Sequence, residues 1–398
     1  MIFIGSYCPD TYIKDLIESK SSPDFAGITL QGALLNGYEK NNEDLIIFSI
    51  PNRLSYPKST KLIIKEEEFN LWNRTDGNKL LGFINLPIVK LFSKFFSTRR
   101  ALINYLKTKD RKDDKECMFV YSLHSPMLLA AISVKSQRCK LCVMITDLPE
   151  YMSGKRNLLY RFGKYLDRII INFCLRKANS YIILSEKMVD KLPIEGKPYL
   201  VIEGIYDGST QESYIAEKDD KEIILYTGGI SERYNVYDLM EAFCGIDNSR
   251  LELMLCGPVD DQDKLNRYLN KDKRIKYLGL LSKDEVRLLQ RKASLLINPR
   301  FGKEEFTQFS FPSKTLEYLA SGTPTMMCNL PSLPKEYLGK LYIIEEESVK
   351  GIQRSIQEFF RIPKETRKQK GMKAREFILT EKSSQYQTKK ILDLISMS

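Results

Sequence analysis

The chain has 398 residues, 43% of them hydrophobic, with a formal charge of +11 and a single histidine. That length exceeds what one hydrophobic core usually fills, so two domains are expected, and the apolar fraction excludes a disordered chain. The charge calls for an anionic partner without deciding between nucleic acid, an acidic membrane and a phosphorylated small molecule.

The first residues, Met1 to Tyr7, lack the basic start and long apolar stretch of a signal peptide. No apolar run approaches the roughly 18–20 residues that cross a bilayer, so a cytoplasmic location is expected. Short Val/Ile/Leu-rich runs then alternate with longer amphipathic stretches, which reads as β-α-β winding around parallel sheets covered on both faces. Candidate strands in the first half are Met1–Gly5, Asp44–Ile50, Met118–Leu123, Lys140–Ile145 and Ser180–Leu184. A second set comprises Glu222–Tyr226, Leu251–Cys256, Ile275–Leu278, Ser294–Asn298 and Thr323–Met327. Between the sets, residues 204–221 are small, polar and charged, which marks a linker between domains 1–205 and 206–379. The remaining stretch, 380–398, is amphipathic and is expected to pack back on the first domain. The eight cysteines are scattered, and Cys139–Cys142 has no second pair or nearby histidine to complete a zinc site, so buried free thiols and no metal are expected.

The segment richest in chemistry is Ser294–Pro324. A strand and loop lead into Phe311-Pro-Ser-Lys-Thr-Leu-Glu-Tyr-Leu-Ala-Ser-Gly322, where Pro312 suits the first position of a helix and Gly322 its stop. Such a helix would aim free N–H groups at the carboxyl edge of the sheet, where α/β proteins bind ligands and where phosphate is favoured. Ser313 and Lys314 would add a hydroxyl and a cation. Glu317 lies one turn deeper on the same face, placed to accept hydrogen bonds from two ribose hydroxyls. These parts describe a nucleoside diphosphate cradle.

The string Phe311–Pro324 resembles the donor-site helix of family-4 glycosyltransferases, especially bacterial members that make surface polysaccharides. Leu225-Tyr-Thr-Gly-Gly-Ile230 with Asp238–Phe243, Met254–Pro258 and Ile275–Gly279 resemble further pieces of the donor domain, in family order. The resemblance implies an α/β fold of GT-B type, two Rossmann-like doubly wound parallel-sheet domains facing across a cleft. It implies a retaining glycosyltransferase that moves a sugar from a nucleotide-sugar donor to a glycan or lipid-linked acceptor, with no cofactor and no metal required. Tyr277 and Gly279 would lie beside the nucleobase, Gly229 in the turn beside the diphosphate. In the first domain, Phe25–Ile28 looks like the glycine turn that approaches the donor phosphates, with Gly27 at its centre. Asp147, where many relatives carry His-Asp and this chain has Thr146 first, would orient the acceptor or accept its proton. His124, at the neighbouring strand end, is a second candidate.

Two departures qualify the likeness. The family pairs two glutamates eight positions apart, yet eight residues before Glu317 stands Phe309, and Glu305 is the nearest substitute. The usual Arg and Lys after the first donor-domain strand are replaced by Gly229 and Tyr234, leaving Arg233 and Arg300 to contact phosphate. These losses keep two alternatives open, a catalytically weakened nucleotide-sugar-binding partner of another transferase and a nucleotide-sugar epimerase. Two basic amphipathic stretches remain. Ile88, Leu91, Phe92, Phe95 and Phe96 are set among Lys90, Lys94, Arg99 and Arg100, and Phe162, Tyr165, Leu166 and Ile169 among Arg161, Lys164 and Arg168. Each reads as a core-packed helix or as a surface docking on the anionic inner face of the cell membrane. Nothing resembles a nucleic-acid module.

Overall fold

The computed structural model describes every residue except 72–76, 110–115, 138, 149–157, 209–220 and 304. Most of the expected linker, from 209 to 220, therefore lies outside the described residues. The chain divides into two compact units, Met1–Asp207 together with Ser384–Ser398, and Gly208–Ser383. The second border falls four residues later than the sequence suggests. The helix Lys364–Glu381 runs unbroken past residue 379, and the chain turns only at Lys382 and Ser383.

The first unit is built on a sheet of eight strands. In chain order these are β1 (Ile2–Gly5), β2 (Ile46–Ser49), β4 (Glu67–Glu68), β5 (Lys79–Leu80), β7 (Glu116–Tyr121), β8 (Cys139–Ile145), β9 (Ser180–Ile183) and β10 (Tyr199–Val201), and in space they run β10-β9-β8-β7-β1-β2-β5-β4. All pairings are parallel except β4 with β5; a separate antiparallel pair joins β3 (Ile63–Ile64) to β6 (Phe83–Ile84). Ile2, Phe3, Phe119 and Ile182 are wholly buried, as strands covered on both faces require. Helices α1 (Asp10–Glu18), α2 (Phe25–Lys40), α3 (Val89–Thr108), α4 (Ser125–Val134) and α5 (Leu158–Lys177) cover the sheet.

The last helix, α12 (Ser384–Met397), completes this unit by lying on α2. The contact is intimate because Gly37 has no side chain: a β-carbon there would stand 2.2 Å from the Ser384 carbonyl oxygen and 2.5 Å from Thr388 Oγ1. Asn41 Nδ2 donates to Thr388 Oγ1 (2.8 Å) and to the Gln385 carbonyl (2.9 Å), and Ile391 is fully buried.

The second unit carries six parallel strands, β11 (Glu222–Thr227), β12 (Leu251–Cys256), β13 (Ile275–Tyr277), β14 (Leu295–Asn298), β15 (Thr325–Cys328) and β16 (Tyr342–Ile344), ordered β13-β12-β11-β14-β15-β16. Around them lie α6 (Val236–Cys244), α7 (Gln262–Lys271), α8 (Lys283–Lys292), α9 (Lys314–Ala320), α10 (Val349–Arg361) and α11 (Lys364–Glu381). Their starts are set by sequence: Asp261 caps α7, Ser282 and Glu285 form a capping box on α8, and Ser348 caps α10. The cysteines are free, and all but Cys244 are buried. Among the described residues no helix is long and apolar enough to cross a membrane.

Candidate functional site

In the second unit the chain winds one way from β11 to β13 and the other way from β14 to β16, so the strand order reverses between β11 and β14. The carboxyl ends of those strands are where open α/β sheets hold ligands. Glycine turns gather there. Gly228, with φ +150°, follows β11, and its N–H donates to the Cys256 carbonyl (2.7 Å). Gly257, with φ +139°, follows β12 and donates to the Gly279 carbonyl (2.9 Å). A β-carbon on Gly257 would fall 2.0 Å from the Gly228 carbonyl oxygen, so only glycine permits this approach.

Against these turns stands α9. Its first helical residue is Lys314, with Ser313 exposed and in helical conformation before it. Pro312 is therefore not the first residue of the helix, as the sequence predicts; its carbonyl accepts the Thr315 N–H (2.9 Å) in a tight turn that precedes it. Gly322, at φ +78°, ends the segment. Lys314 Nζ faces the Tyr226 ring at 5.4 Å and lies over Gly228. Burial pushes its ammonium down to about 8, opposed by the charge of Glu317.

Glu317 lies one turn further on. Its side chain reaches solvent from within a concave wall of protein, and desolvation raises its carboxyl above the ordinary range, against the pull of Lys314 and of Arg287 and Lys283 on α8. Tyr318, fully buried, fixes the helix to the strand end: its Oη accepts the Thr227 N–H (2.8 Å) and bonds the Thr227 hydroxyl (3.1 Å).

The other expected residues of this unit occupy distinct places. Arg300, only 9% exposed, donates to Ser310 Oγ (3.1 Å) and lies over the Tyr234 ring; burial lowers it to about 10, so it stays cationic at neutral pH. Arg233, exposed on the turn Glu232–Tyr234, is the cation that acts on it. Gly229 abuts the Tyr234 ring, and its carbonyl accepts the Tyr226 hydroxyl (2.9 Å). Tyr277 braces the Gly257 turn through its hydroxyl (2.9 Å), and Gly279 has φ +75° with open space at its α-carbon. Glu305 is exposed on the turn Glu305–Gln308. Phe309 is 7% exposed, part of the packing rather than the site.

The first unit corrects one expectation. Gly27 is not in a free turn: it is the third residue of α2, and its N–H already donates to Asp24 Oδ1 (3.1 Å), which caps the helix. That amide is thus engaged and not open to phosphate. His124 and Asp147 follow adjacent strands but have different surroundings. Desolvation raises the carboxyl of Asp147, the Thr146 hydroxyl lowers it, and the charge of Asp24 raises it further. His124 faces Lys94, Lys164 and Lys90, and burial with their repulsion lowers it to about 4. His124 is therefore held neutral at neutral pH, while the carboxyl of Asp147 is shifted the other way, above its ordinary range.

Sequence reasoning missed Gly228, the glycine that seats Lys314, although the Gly-Gly pair is plain in the string. It also missed Asp24, a typical cap residue, and the pair Lys283 and Arg287, which face Glu317 from another helix.

Residues 209–377 match the family described as glycosyl transferases group 1. No curated protein matches the chain significantly. Among solved structures, the chain is similar to sucrose-phosphate synthase from Thermosynechococcus elongatus (13% identity, 100% of this chain and 98% of that one, TM-score 0.64). It is similar also to Anabaena HepE in complex with UDP (11%, 100% and 99%, TM-score 0.63). S. aureus TarM in complex with UDP and alpha-GlcNAc-glycerol matches at 11%, over 99% of each chain, with TM-score 0.60. At these identities the likeness establishes the fold, and the family match is confined to residues 209–377 of the second unit. Both sheets are wound in Rossmann-like order, the α/β fold shared with those structures, and residues 209–377, within the second unit, match the glycosyl transferases group 1 family.

Proposed function

We propose that the second unit binds a nucleotide-sugar donor and that the chain transfers its sugar, with retention of configuration, to a glycan or lipid-linked acceptor held by the first unit. The observation that carries this reading is the pairing of Lys314 and Glu317 on one helical turn against the Gly228 turn, at the reversal of strand order. Glu317 accepts hydrogen bonds from the ribose hydroxyls, and Tyr277–Gly279 flank the base. Lys314, Arg300 and Arg233, with the Ser313 hydroxyl, meet the diphosphate.

The transfer breaks the bond between the anomeric carbon and the β-phosphate oxygen and forms a bond from that carbon to the acceptor oxygen on the same face. The nucleoside diphosphate leaves, and the acceptor proton passes to Asp147. Negative charge grows on the leaving phosphate during this step, so cations fixed beside it stabilise the transition state more than the ground state. Those side chains make a divalent metal unnecessary in this reading.

Two helices of the first unit support a membrane-bound acceptor. On α3 Ile88 (the residue before it), Phe92 and Phe96 are exposed, as are Phe162, Tyr165 and Ile169 on α5, and both helices pack on α4. Aromatic side chains among Lys and Arg suit the interface of an anionic leaflet, which would make the enzyme peripheral on the cytoplasmic face. The buried Phe309 favours a second reading, a nucleotide-sugar-binding partner with weakened catalysis.

Calorimetric titration against a panel of nucleoside diphosphates and their sugars tests the donor assignment. Binding of one nucleoside diphosphate family with measurable turnover of its sugar supports transfer. Binding without donor hydrolysis or transfer selects the second reading, and no binding at all ends both.

A further inference from the structure

The first unit also reverses its strand order, between β1 and β7, and a cavity of ≈ 290 Å³ opens beside the segments that leave β2 and β7. Its polar lining is Ser22, Asn52, Lys90, Lys94 and His124, and it contains no carboxylate. Arg53 also contributes to the wall, but its guanidinium is turned away, paired with Asp15 (2.5 Å) and donating to Tyr12 Oη (3.2 Å). Lys90 Nζ donates to the Arg53 carbonyl at 3.5 Å, and Lys94 Nζ lies over the Phe83 ring at 4.7 Å. Among the described residues neither lysine forms an ion pair with a carboxylate.

Among the described residues, three basic nitrogens thus share one recess with no carboxylate in its wall. The cost of this arrangement shows in their protonation: burial, then Lys90, push Lys94 down to about 7, burial lowers Lys90, and His124 stands at about 4. Cations withdrawn from water are ordinarily paired; these half-buried groups have no carboxylate in the cavity wall among the described residues, which leaves a place for an anion from outside.

We propose that this cavity is an anion subsite of the first unit that takes a phosphate group, as monoester or diester, carried by the acceptor. The inference rests on the reading of the first unit as the acceptor side. The cavity is larger than a phosphate and approaches the lower range of small-ligand pockets, roughly 300 Å³, which leaves room for the polyol or sugar to which the phosphate is attached. Its wall includes Leu91, next to the exposed Phe92 on α3, so the same opening serves a phosphate brought by a lipid headgroup. Lys90 and Lys94 supply the charge, Ser22 and Asn52 the neutral hydrogen bonds, and neutral His124 one donor or acceptor according to its tautomer.

The chain has one histidine, so a ¹³C-labelled imidazole reports on this cavity alone. Inorganic phosphate, against chloride at equal ionic strength, should shift the His124 resonance saturably and raise its proton affinity roughly tenfold as the anion offsets the lysine charges. Dihexanoyl phosphatidylglycerol below its micellar concentration forms the second arm: saturation at lower concentration than phosphate identifies a lipid headgroup, and saturation only by phosphate or equally by both identifies a soluble phosphate. Lys94→Met should abolish the shift while leaving UDP affinity, measured by calorimetry, unchanged; Lys90→Met repeats the test should the first variant fold poorly. An unresponsive His124 in protein that still binds UDP overturns the subsite and spares the donor reading. Phosphate binding in protein that binds no nucleoside diphosphate does the reverse.

Discussion

Lys314 Nζ rests on the α-carbon of Gly228, where a β-carbon would stand 1.5 Å from the ammonium. The lysine end can shift, but the backbone at Gly228, φ +150°, is strained for any residue with a side chain. Gly228→Ala therefore unseats the cation. Affinity for the bound nucleoside diphosphate should fall about tenfold, roughly 1.4 kcal/mol, by calorimetry.

Lys314→Ala should lower kcat/KM by about two orders of magnitude or more, roughly 2.7 kcal/mol of transition-state stabilisation. The same residue gives a pH signature. Its folded value of about 8 lies below the unfolded value near 10.4. Above pH 8 the free enzyme loses the ammonium, so nucleotide affinity should decline and binding should take up protons; calorimetry in buffers of different ionisation enthalpy measures this. For the unliganded protein the sign is opposite. Between about pH 8 and 10.4 the unfolded chain binds more protons at this site, so its contribution to stability rises with pH.

Glu317→Ala should weaken UDP about tenfold. A cycle with 2′,3′-dideoxy-UDP isolates the cause: the substitution should cost little against the analogue, because the hydroxyls it would hold are already gone. Equal losses against both ligands would place the carboxylate away from the ribose.

Tyr318→Phe removes the acceptor of the buried Thr227 N–H. An unsatisfied buried donor costs roughly 1–3 kcal/mol, so thermal unfolding should occur several degrees lower. Since no catalytic group is touched, turnover at a temperature well below unfolding should change much less than in Lys314→Ala.

Phe92→Ser together with Phe96→Ser removes exposed apolar surface from α3 without emptying the core. Co-sedimentation with vesicles containing phosphatidylglycerol should drop severalfold, with donor hydrolysis intact. Unchanged sedimentation would count against docking through this helix.

The alternation of apolar runs and amphipathic stretches was enough to find ten of the strands, because parallel strands buried on both faces leave continuous Val/Ile/Leu runs. The two-residue strands β3 to β6 escaped because they are too short for any periodicity, and β10 and β16 were missed with them. The donor helix was legible as a string of residue types, yet which glycine of Gly228-Gly229 seats the lysine depends on a backbone angle that no residue type reveals. Gly27 misled because a glycine in a cap's first turn and one in a phosphate loop look alike in sequence; only the Asp24 hydrogen bond separates them. The aromatic residues of α3 and α5 show the converse: helical spacing locates an apolar stripe but does not say whether protein covers it.

Because α12 closes the first unit on α2 and Gly37, that unit is not complete until the ribosome has made residues 384–398. The second unit, contiguous in sequence, emerges whole before them. During synthesis the α2 surface around Gly37 and Asn41 must therefore wait, uncovered, for α12, and a deletion of that helix acts on the first unit rather than on the second.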